Sequence, residues 1–395
     1  MKIGKDFYEK IKEHELYRKT YECLCCGGCT NLWPVELRCS IATRYKGSEA
    51  SPRGLNWAMQ AVLEDKLSFS PGLVDLVFSC TTCNQCVVNC PAGIDPRVYI
   101  EDLRKALVEE GAIPKTMKEV FANASKHGNV WGKPRNERSK WADGLKIKSF
   151  SQAKGLDILL FVGCEGSYVE RNQETAKKLV GVLNKAEVKF GFLGNEERCS
   201  GNEVLRMGEE GLFESLAGEN INKFREYGVE KIITLSPHSF HVLKNEYPKL
   251  DPDLKVEVMH YTQFLCGLIK EGKLKLTKKV DKKVTYQDPC YLGKHNAIYE
   301  EPREILRAIP GLELIEMDYV KDKSVCCGGG GGGVWMERGK GVNVEEIRFK
   351  QAVDVGVDVL ATACPFCTQQ LEAANEDSDR HLEVKDIIEL VYEAI

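Results

Sequence analysis

Two stretches of this chain carry the same pattern of cysteine, serine and glycine about 127 residues apart, and this repeat restricts the fold more than any other feature. Cys164 and Cys290 are separated by 126 positions (290 − 164), Cys199 and Cys326 by 127 (326 − 199), and Ser236 and Cys364 by 128 (364 − 236). The first copy runs Gly163-Cys164, Arg198-Cys199-Ser200-Gly201 and Ser236-Pro237-His238-Ser239; the second runs Pro289-Cys290, Val325-Cys326-Cys327-Gly328 and Cys364-Pro365-Phe366-Cys367. Around these marks, Leu156–Val162 reads as a buried strand, Tyr168–Ala186 as an amphipathic helix and Val188–Leu193 as a strand. Glu203–Tyr227 reads as a helix and Lys231–Leu235 as another strand. Alternating strands and helices imply a parallel sheet. The pattern predicts two copies of one α/β unit, at 156–275 and 280–395, meeting near the lysine-rich stretch Lys270–Lys283.

The copies differ in their donor atoms. The second offers five soft ligands, Cys290, Cys326, Cys327, Cys364 and Cys367. Thiolates of this kind select iron–sulfur clusters, zinc or copper(I) over hard ions. Five is one more than a tetrahedral zinc or an ordinary cubane uses, which points to an unusual cluster. The first copy has serine at three of the five positions, Ser200, Ser236 and Ser239. A hydroxyl is a poor substitute for a thiolate, so this copy is not expected to bind the same group. It reads as a scaffold half, with a zinc site from Cys164, Cys199, His238 and His241 as the other reading. Cys266, in an apolar stretch, reads as a buried small hydrophobe.

Upstream, Cys80, Cys83, Cys86 and Cys90-Pro91 match C-x2-C-x2-C-x3-C-P, and Cys23, Cys26 and Cys29 form a looser run followed by Cys39. In two-cluster ferredoxins three cysteines of a run hold one cubane and the distant fourth holds the other. The expected sets are Cys23, Cys26, Cys29 and Cys90 for one [4Fe-4S] cubane, and Cys80, Cys83, Cys86 and Cys39 for the second. A pair of zinc sites is the bland alternative. Cys25 is spare. Between the runs, Ser51-Pro52 starts a helix, and Leu55, Met59, Val62 and Leu63 recur at helical spacing. Residues 1–127 thus read as a helical ferredoxin module. The segment 128–155 carries seven basic residues from Lys133 to Lys154. It reads as a solvated linker, the sharper reading being a dock for an acidic partner or an anionic membrane face.

An odd count of 17 cysteines in 395 residues argues against a disulfide scaffold. Met1–Thr20 is too charged for a signal peptide, and no window approaches the roughly 18 apolar residues of a span. The expected location is a reducing cytoplasm, peripheral to a membrane only through a partner. A net charge of −4 excludes nucleic acid as the general partner. Gly328–Gly333 satisfies G-x-G-x-x-G trivially but lacks the dinucleotide context. Gly328, Gly329 and Gly330 are candidate cofactor-binding residues, letting backbone N–H groups reach cluster sulfur, with a flexible loop as the alternative. Lys294, His295 and Arg303 read as surface charges.

Taken together, the Cys80–Pro91 run, Ser51-Pro52-Arg53-Gly54, Ser236–Phe240, Asp288–Gly293, Tyr299–Arg303, the Cys326-Cys327-Gly328 run and Cys364–Cys367 resemble heterodisulfide-reductase-like proteins. These have paired CCG domains, and the resemblance is to the D-subunit type. It implies an α-helical ferredoxin followed by two α/β CCG domains, with a non-cubane [4Fe-4S] cluster on Cys290, Cys326, Cys327, Cys364 and Cys367. Cys326 and Cys327 are the candidate catalytic residues. The expected function is an iron–sulfur electron-transfer subunit of an anaerobic oxidoreductase complex. Its partners would be a flavoprotein, a ferredoxin-like subunit or a membrane cytochrome. The alternatives are a catalytic heterodisulfide or thiol–disulfide reductase, and the iron–sulfur subunit of a 2-hydroxyacid or glycerol-3-phosphate dehydrogenase. The missing thiolates of the first copy depart from the reductase pattern.

Overall fold

The computed structural model describes residues 20–29, 39–64, 66–336 and 343–395. Its N-terminal part is helical: α1 (Ser40–Tyr45), α2 (Pro52–Leu63), α3 (Pro71–Phe78), α4 (Gln85–Val88), α5 (Pro96–Glu109) and α6 (Lys115–His127). Proline opens α2, α3 and α5 behind Ser51, Ser70 and Asp95, whose side chains accept N–H bonds from Gly54 (3.1 Å), Leu73 (3.2 Å) and Arg97 (3.0 Å). Each cap satisfies a donor that the first turn leaves free, and proline has no N–H to waste there. The apolar stripe of α2 (Leu55, Met59, Val62) joins Leu103 and Leu107 of α5 and Met117 of α6. That cluster continues into Leu159, Phe161, Leu205 and Met207 of the following unit. The helical module is therefore packed into the rest of the molecule.

The first α/β unit contains β1 (Lys148–Ser149), β2 (Ile158–Phe161), α7 (Gly163–Tyr168), α8 (Glu170–Lys185), β3 (Phe190–Phe192), α9 (Asn202–Arg206) and α10 (Glu210–Glu226). It ends with β4 (Lys231–Thr234), α11 (Pro237–Asn245), α12 (Tyr247–Leu250), β5 (Glu257–His260) and α13 (Tyr261–Lys270). The second contains β6 (Lys283–Tyr286), α14 (Glu300–Ala308), β7 (Glu313–Leu314), α15 (Val344–Asp354), β8 (Val359–Thr362), α16 (Pro365–Glu376), β9 (Glu383–Asp386) and α17 (Ile387–Ala394). Both sheets are parallel, in the orders β1-β3-β2-β4-β5 and β7-β6-β8-β9. Leu159 pairs with Ile232 in the first and Thr285 with Leu360 in the second, the same register one repeat on. The sheets bury a common core: Leu160, Ile233 and Leu265 of one unit cluster with Val284, Val359 and Leu390 of the other.

The segment 128–155 is built into the first unit. Its residues Lys148 and Ser149 form β1 alongside β3, Trp141 is buried, and Arg138 is buried against Glu197, while the other six basic side chains are exposed. A buried cation needs a partner, and Glu197 supplies it from 59 residues away. The repeat's cysteine and serine positions all fall on the segments that follow the carboxyl ends of parallel strands, after β2, β3 and β4 in one unit and β6, β7 and β8 in the other. Open parallel sheets place their binding sites there.

Candidate iron–sulfur sites

The five cysteines of the second copy converge in a buried cage. Their exposures lie between 1% for Cys364 and 5% for Cys290. Asp288 fixes the loop ahead of Cys290 by a two-pronged contact with Arg303 (2.7 and 2.8 Å) and draws in Lys321 N–H at 2.7 Å. Arg303 is fully buried, and Lys294 is 6% exposed with its ammonium on the Ser324 carbonyl at 2.5 Å. These two are structural anchors, not the surface charges their composition suggested. Cys364 stands at the N-cap position of α16 and Cys367 lies in its first turn, near the positive end of the helix dipole.

Within the cage, Cys367 Sγ donates to Cys327 Sγ at 3.2 Å, and Gly328 N–H donates to Cys326 Sγ at 3.3 Å. Gly329 N–H also lowers the Cys327 thiol, so two glycines aim N–H groups at sulfur. The thiols share protons unevenly. Hydrogen bonding from Cys326 holds Cys327 well below the ordinary thiol range, and the bond to Cys327 pushes Cys367 up. Burial opposes ionisation of Cys364, yet bonds from Cys367 and His238 bring it down to about 5.

The rest of the glycine run serves another purpose. A Cβ on Gly330 would lie 2.7 Å from the Thr81 carbonyl, and one on Gly331 (φ +59°) would lie 2.6 Å from that of Cys80. Only a bare backbone lets this loop press on the second cysteine run. The same seam carries Thr82 Oγ1 to Tyr291 Oη (2.7 Å), His295 Nε2 to the Thr82 carbonyl (2.8 Å) and Asn84 Nδ2 to the Lys294 carbonyl (3.0 Å). At its centre the Cys83 thiol bonds with Cys326, which pushes Cys83 well up, and the two cluster with Cys290 and Tyr291.

Cys39, Cys80, Cys83 and Cys86 form a second group. Burial pushes the Cys86 thiol up, and Cys80, Cys83 and Cys39 reinforce this by their charge. Cys23, Cys26, Cys29 and Cys90 line one small cavity beside Pro52 and Arg53. Cys25 is exposed, with its thiol toward the Cys23 carbonyl at 3.6 Å. No group of three or more His, Cys, Asp or Glu among the described residues is spaced to hold a single metal ion.

The fit to anionic clusters is tested by the cations. Arg104 is fully buried, and all five of its N–H groups end on carbonyls of Val77, Cys80, Arg206 and Gly331 at 2.6–3.2 Å. Its charge is left without a carboxylate in that shell and is attracted by Cys80. Arg348, also fully buried, has an Nη2 with no hydrogen-bond partner; burial lowers its guanidinium, and Asp288 and then Cys367 attract it. Neither guanidinium has a carboxylate hydrogen-bonded to it, so the thiol groups beside them sit where further negative charge is favoured. Neither arginine stands out in sequence, because their partners lie far along the chain.

In the first copy the geometry persists with serine at three of the five positions. Ser239 Oγ donates to Ser200 Oγ at 3.1 Å, where the second copy has Cys367 and Cys327. Gly201 N–H reaches Cys199 Sγ at 3.5 Å, the counterpart of Gly328 on Cys326. Arg138 lies 3.6 Å from Cys164 Sγ. Burial opposes ionisation there too, but Cys199 and Arg138 bring the Cys164 thiol down to about 6. The two histidines do not complete a zinc set. His238 Nδ1 meets Glu203 Oε1 at 2.5 Å, and His241 is engaged by Asn245, Asn296 and Arg206. Cys266 is buried as expected, its thiol donating to Glu304 at 2.9 Å.

A family model described as a cysteine-rich domain, CCG, matches residues 158–244 and 284–372. The chain is 35% identical over 330 residues to the D-subunit of a dihydromethanophenazine:CoB–CoM heterodisulfide reductase of Methanosarcina barkeri, covering 81% of this chain and 78% of that one. It belongs to the heterodisulfide reductase D-subunit family. It is also 33% identical over 423 residues to a probable iron-sulfur-binding oxidoreductase of Bacillus subtilis, FadF (95% of this chain, 60% of the relative). Identity to an EtfAB:quinone oxidoreductase of Syntrophomonas wolfei is 34% over 363 residues (88% and 50%). The chain thus spans 60% and 50% of the lengths of those two relatives. Among the described residues, no helix is long and apolar enough to cross a membrane.

Proposed function

We propose that this family member is an iron–sulfur electron-transfer subunit of an oxidoreductase complex. Cys23, Cys26, Cys29 and Cys90 would hold one [4Fe-4S] cubane, and Cys39, Cys80, Cys83 and Cys86 a second. Cys290, Cys326, Cys327, Cys364 and Cys367 would hold a non-cubane [4Fe-4S] cluster. When bound, such clusters carry electrons one at a time at potentials set by their sulfur hydrogen bonds and burial. The observation that carries the reading is the contact of Cys83 with Cys326, which joins the second cubane set to the five-thiol cage through side chains alone.

The protein's own residues keep that junction closed. Arg104 and Arg348 supply buried positive charge beside the two thiol groups. Gly330 and Gly331 let the loop approach the second run, and Thr82, Tyr291 and His295 seal it. The oxidoreductase names of the relatives support a redox partner; the partner proposed is a flavoprotein, a ferredoxin-like protein or a membrane cytochrome. Substrate chemistry at Cys326 and Cys327 alone finds less support, since the first copy has no second set of thiolates to pair with the cage.

Iron and acid-labile sulfide analysis of protein purified without oxygen tests the reading. The expected content is about 12 irons per chain, for three four-iron groups. Zinc in place of iron, or iron for the ferredoxin part alone, would refute it.

A further inference from the structure

We propose that His238, a residue of the first copy, is a positioning residue for the second copy's thiol cage: it donates a hydrogen bond from Nε2 to Cys364 Sγ and so helps set the redox potential there. This rests on the reading that the cage holds a cluster. His238 occupies the repeat position of Phe366 (366 − 238 = 128), and the two rings meet edge to face at 4.8 Å. The internal pseudo-symmetry thus brings equivalent positions of the two copies together. The two sides differ in one respect. Phe366 has no polar atom to offer the serine-lined half, whereas His238 offers a donor to the half with five thiols.

The orientation of the ring is over-determined. His238 is 5% exposed and lies 4.2 Å from the Tyr291 ring on one side and against Phe366 on the other. Its Nδ1 is taken by Glu203 Oε1 at 2.5 Å, and Glu203 Oε2 accepts from Gly332 N–H at 3.2 Å. With Nδ1 engaged, Nε2 is the atom left to donate, and the ring it belongs to packs on Phe366, which lies between Cys364 and Cys367, and on Tyr291, which follows Cys290. A carboxylate behind a histidine fixes its tautomer and aim, as it does behind metal-bound histidines. A donor to a cluster sulfur stabilises the electron-rich state, so its loss makes reduction harder. On this reading the first copy contributes function despite its missing thiols: Glu203 and His238 come from it, and Cys364 does not.

The test is an electron paramagnetic resonance redox titration of the full chain prepared without oxygen, with the cubane signals as internal references. His238→Phe copies the residue of the second copy, keeping a ring and removing the donor; His238→Gln keeps a donor. The expected result for His238→Phe is a negative shift of the cage midpoint. It should reach a tenfold change in the reduced-to-oxidised ratio at fixed potential, 59 mV for a one-electron couple. His238→Gln should shift less, and the cubane midpoints should hold. A His238→Phe titration superimposable on that of the unmodified chain overturns the proposal. Should His238→Phe lose the cage signal altogether, Glu203→Gln decides. It keeps the imidazole but loosens its aim, so a negative shift supports the proposal and an unmoved midpoint overturns it. Absence of any cage signal in the unmodified chain would instead overturn the cluster reading itself, and the role of His238 with it.

Discussion

The loops that follow Cys199 and Cys326 begin alike and then part. After the shared glycine (Gly201, Gly328), the first continues Asn202-Glu203-Val204-Leu205-Arg206 and winds into α9; the second continues as five more glycines, turning until a short 3-10 helix begins at Gly333. What each loop must touch explains the divergence. The first loop sends Glu203 to His238 and Arg206 to Glu101 and Glu246, so it needs side chains. The second presses its backbone onto the carbonyls of Cys80 and Thr81, so it can have none. One repeat unit was thus fitted to two neighbours, and the five thiols lie in the copy that faces the second cysteine run.

Four changes would break or sharpen this contrast. The largest effect is expected from Cys327→Ser, which writes the first copy's Ser200 into the second. The cage signal should vanish while both cubane signals stay, with iron falling by about a third; a retained cage signal would sink the ligand assignment. Next is Gly331→Val, which imposes the first copy's Val204. At φ +59° with a Cβ 2.6 Å from the Cys80 carbonyl, it should lower stability by about 2–3 kcal/mol, read as a fall in thermal midpoint. The reverse graft, Ser200→Cys with Ser236→Cys and Ser239→Cys, should add about four irons, because the serine geometry already matches at 3.1 against 3.2 Å. Unchanged iron would mean that Arg138, 3.6 Å from Cys164, closes that half to a cluster.

The smallest effect concerns Glu165, which stands between the copies and receives Trp131 Nε1 and Asn172 Nδ2, both at 3.1 Å. Burial, reinforced by the charge of Cys164 and Cys364, pushes its carboxyl from 4.5 up to about 8. The folded state therefore holds this proton where the unfolded chain has released it. Its contribution is full below pH 4.5 and is lost as pH rises through about 8. Glu165→Gln should flatten that decline, seen in denaturant midpoints across the interval; a decline of unchanged slope would assign it to other groups.

The parts legible in sequence were those encoded locally. The α2 start was announced by Ser51-Pro52, and the βα alternation by its apolar strands, because caps and periodicity act within a few residues. The repeat revealed the paired sheets because identical spacing requires identical connections. Long-range polar partners were not legible. Arg138 looked like one of seven linker charges until Glu197 met it, and Arg303 and Lys294 looked like surface charges until Asp288 and Ser324 were found beside them. His238 looked like a zinc candidate of its own copy, while its ring packs on Tyr291 and Phe366 of the other one. Nothing local marks such a residue, since its role depends on a contact across the repeat.

The reach of Arg104 has a consequence for how the protein is made. Two of its acceptors lie 102 and 227 residues further along the chain, at Arg206 and Gly331. A ribosome extending the chain from its N-terminus releases the Cys80–Cys90 run long before those carbonyls exist. Until then the guanidinium has only part of its shell. Closure of the second cysteine run and completion of the C-terminal unit are thus bound to one timetable, and a truncated or stalled chain would carry a helical module that cannot close.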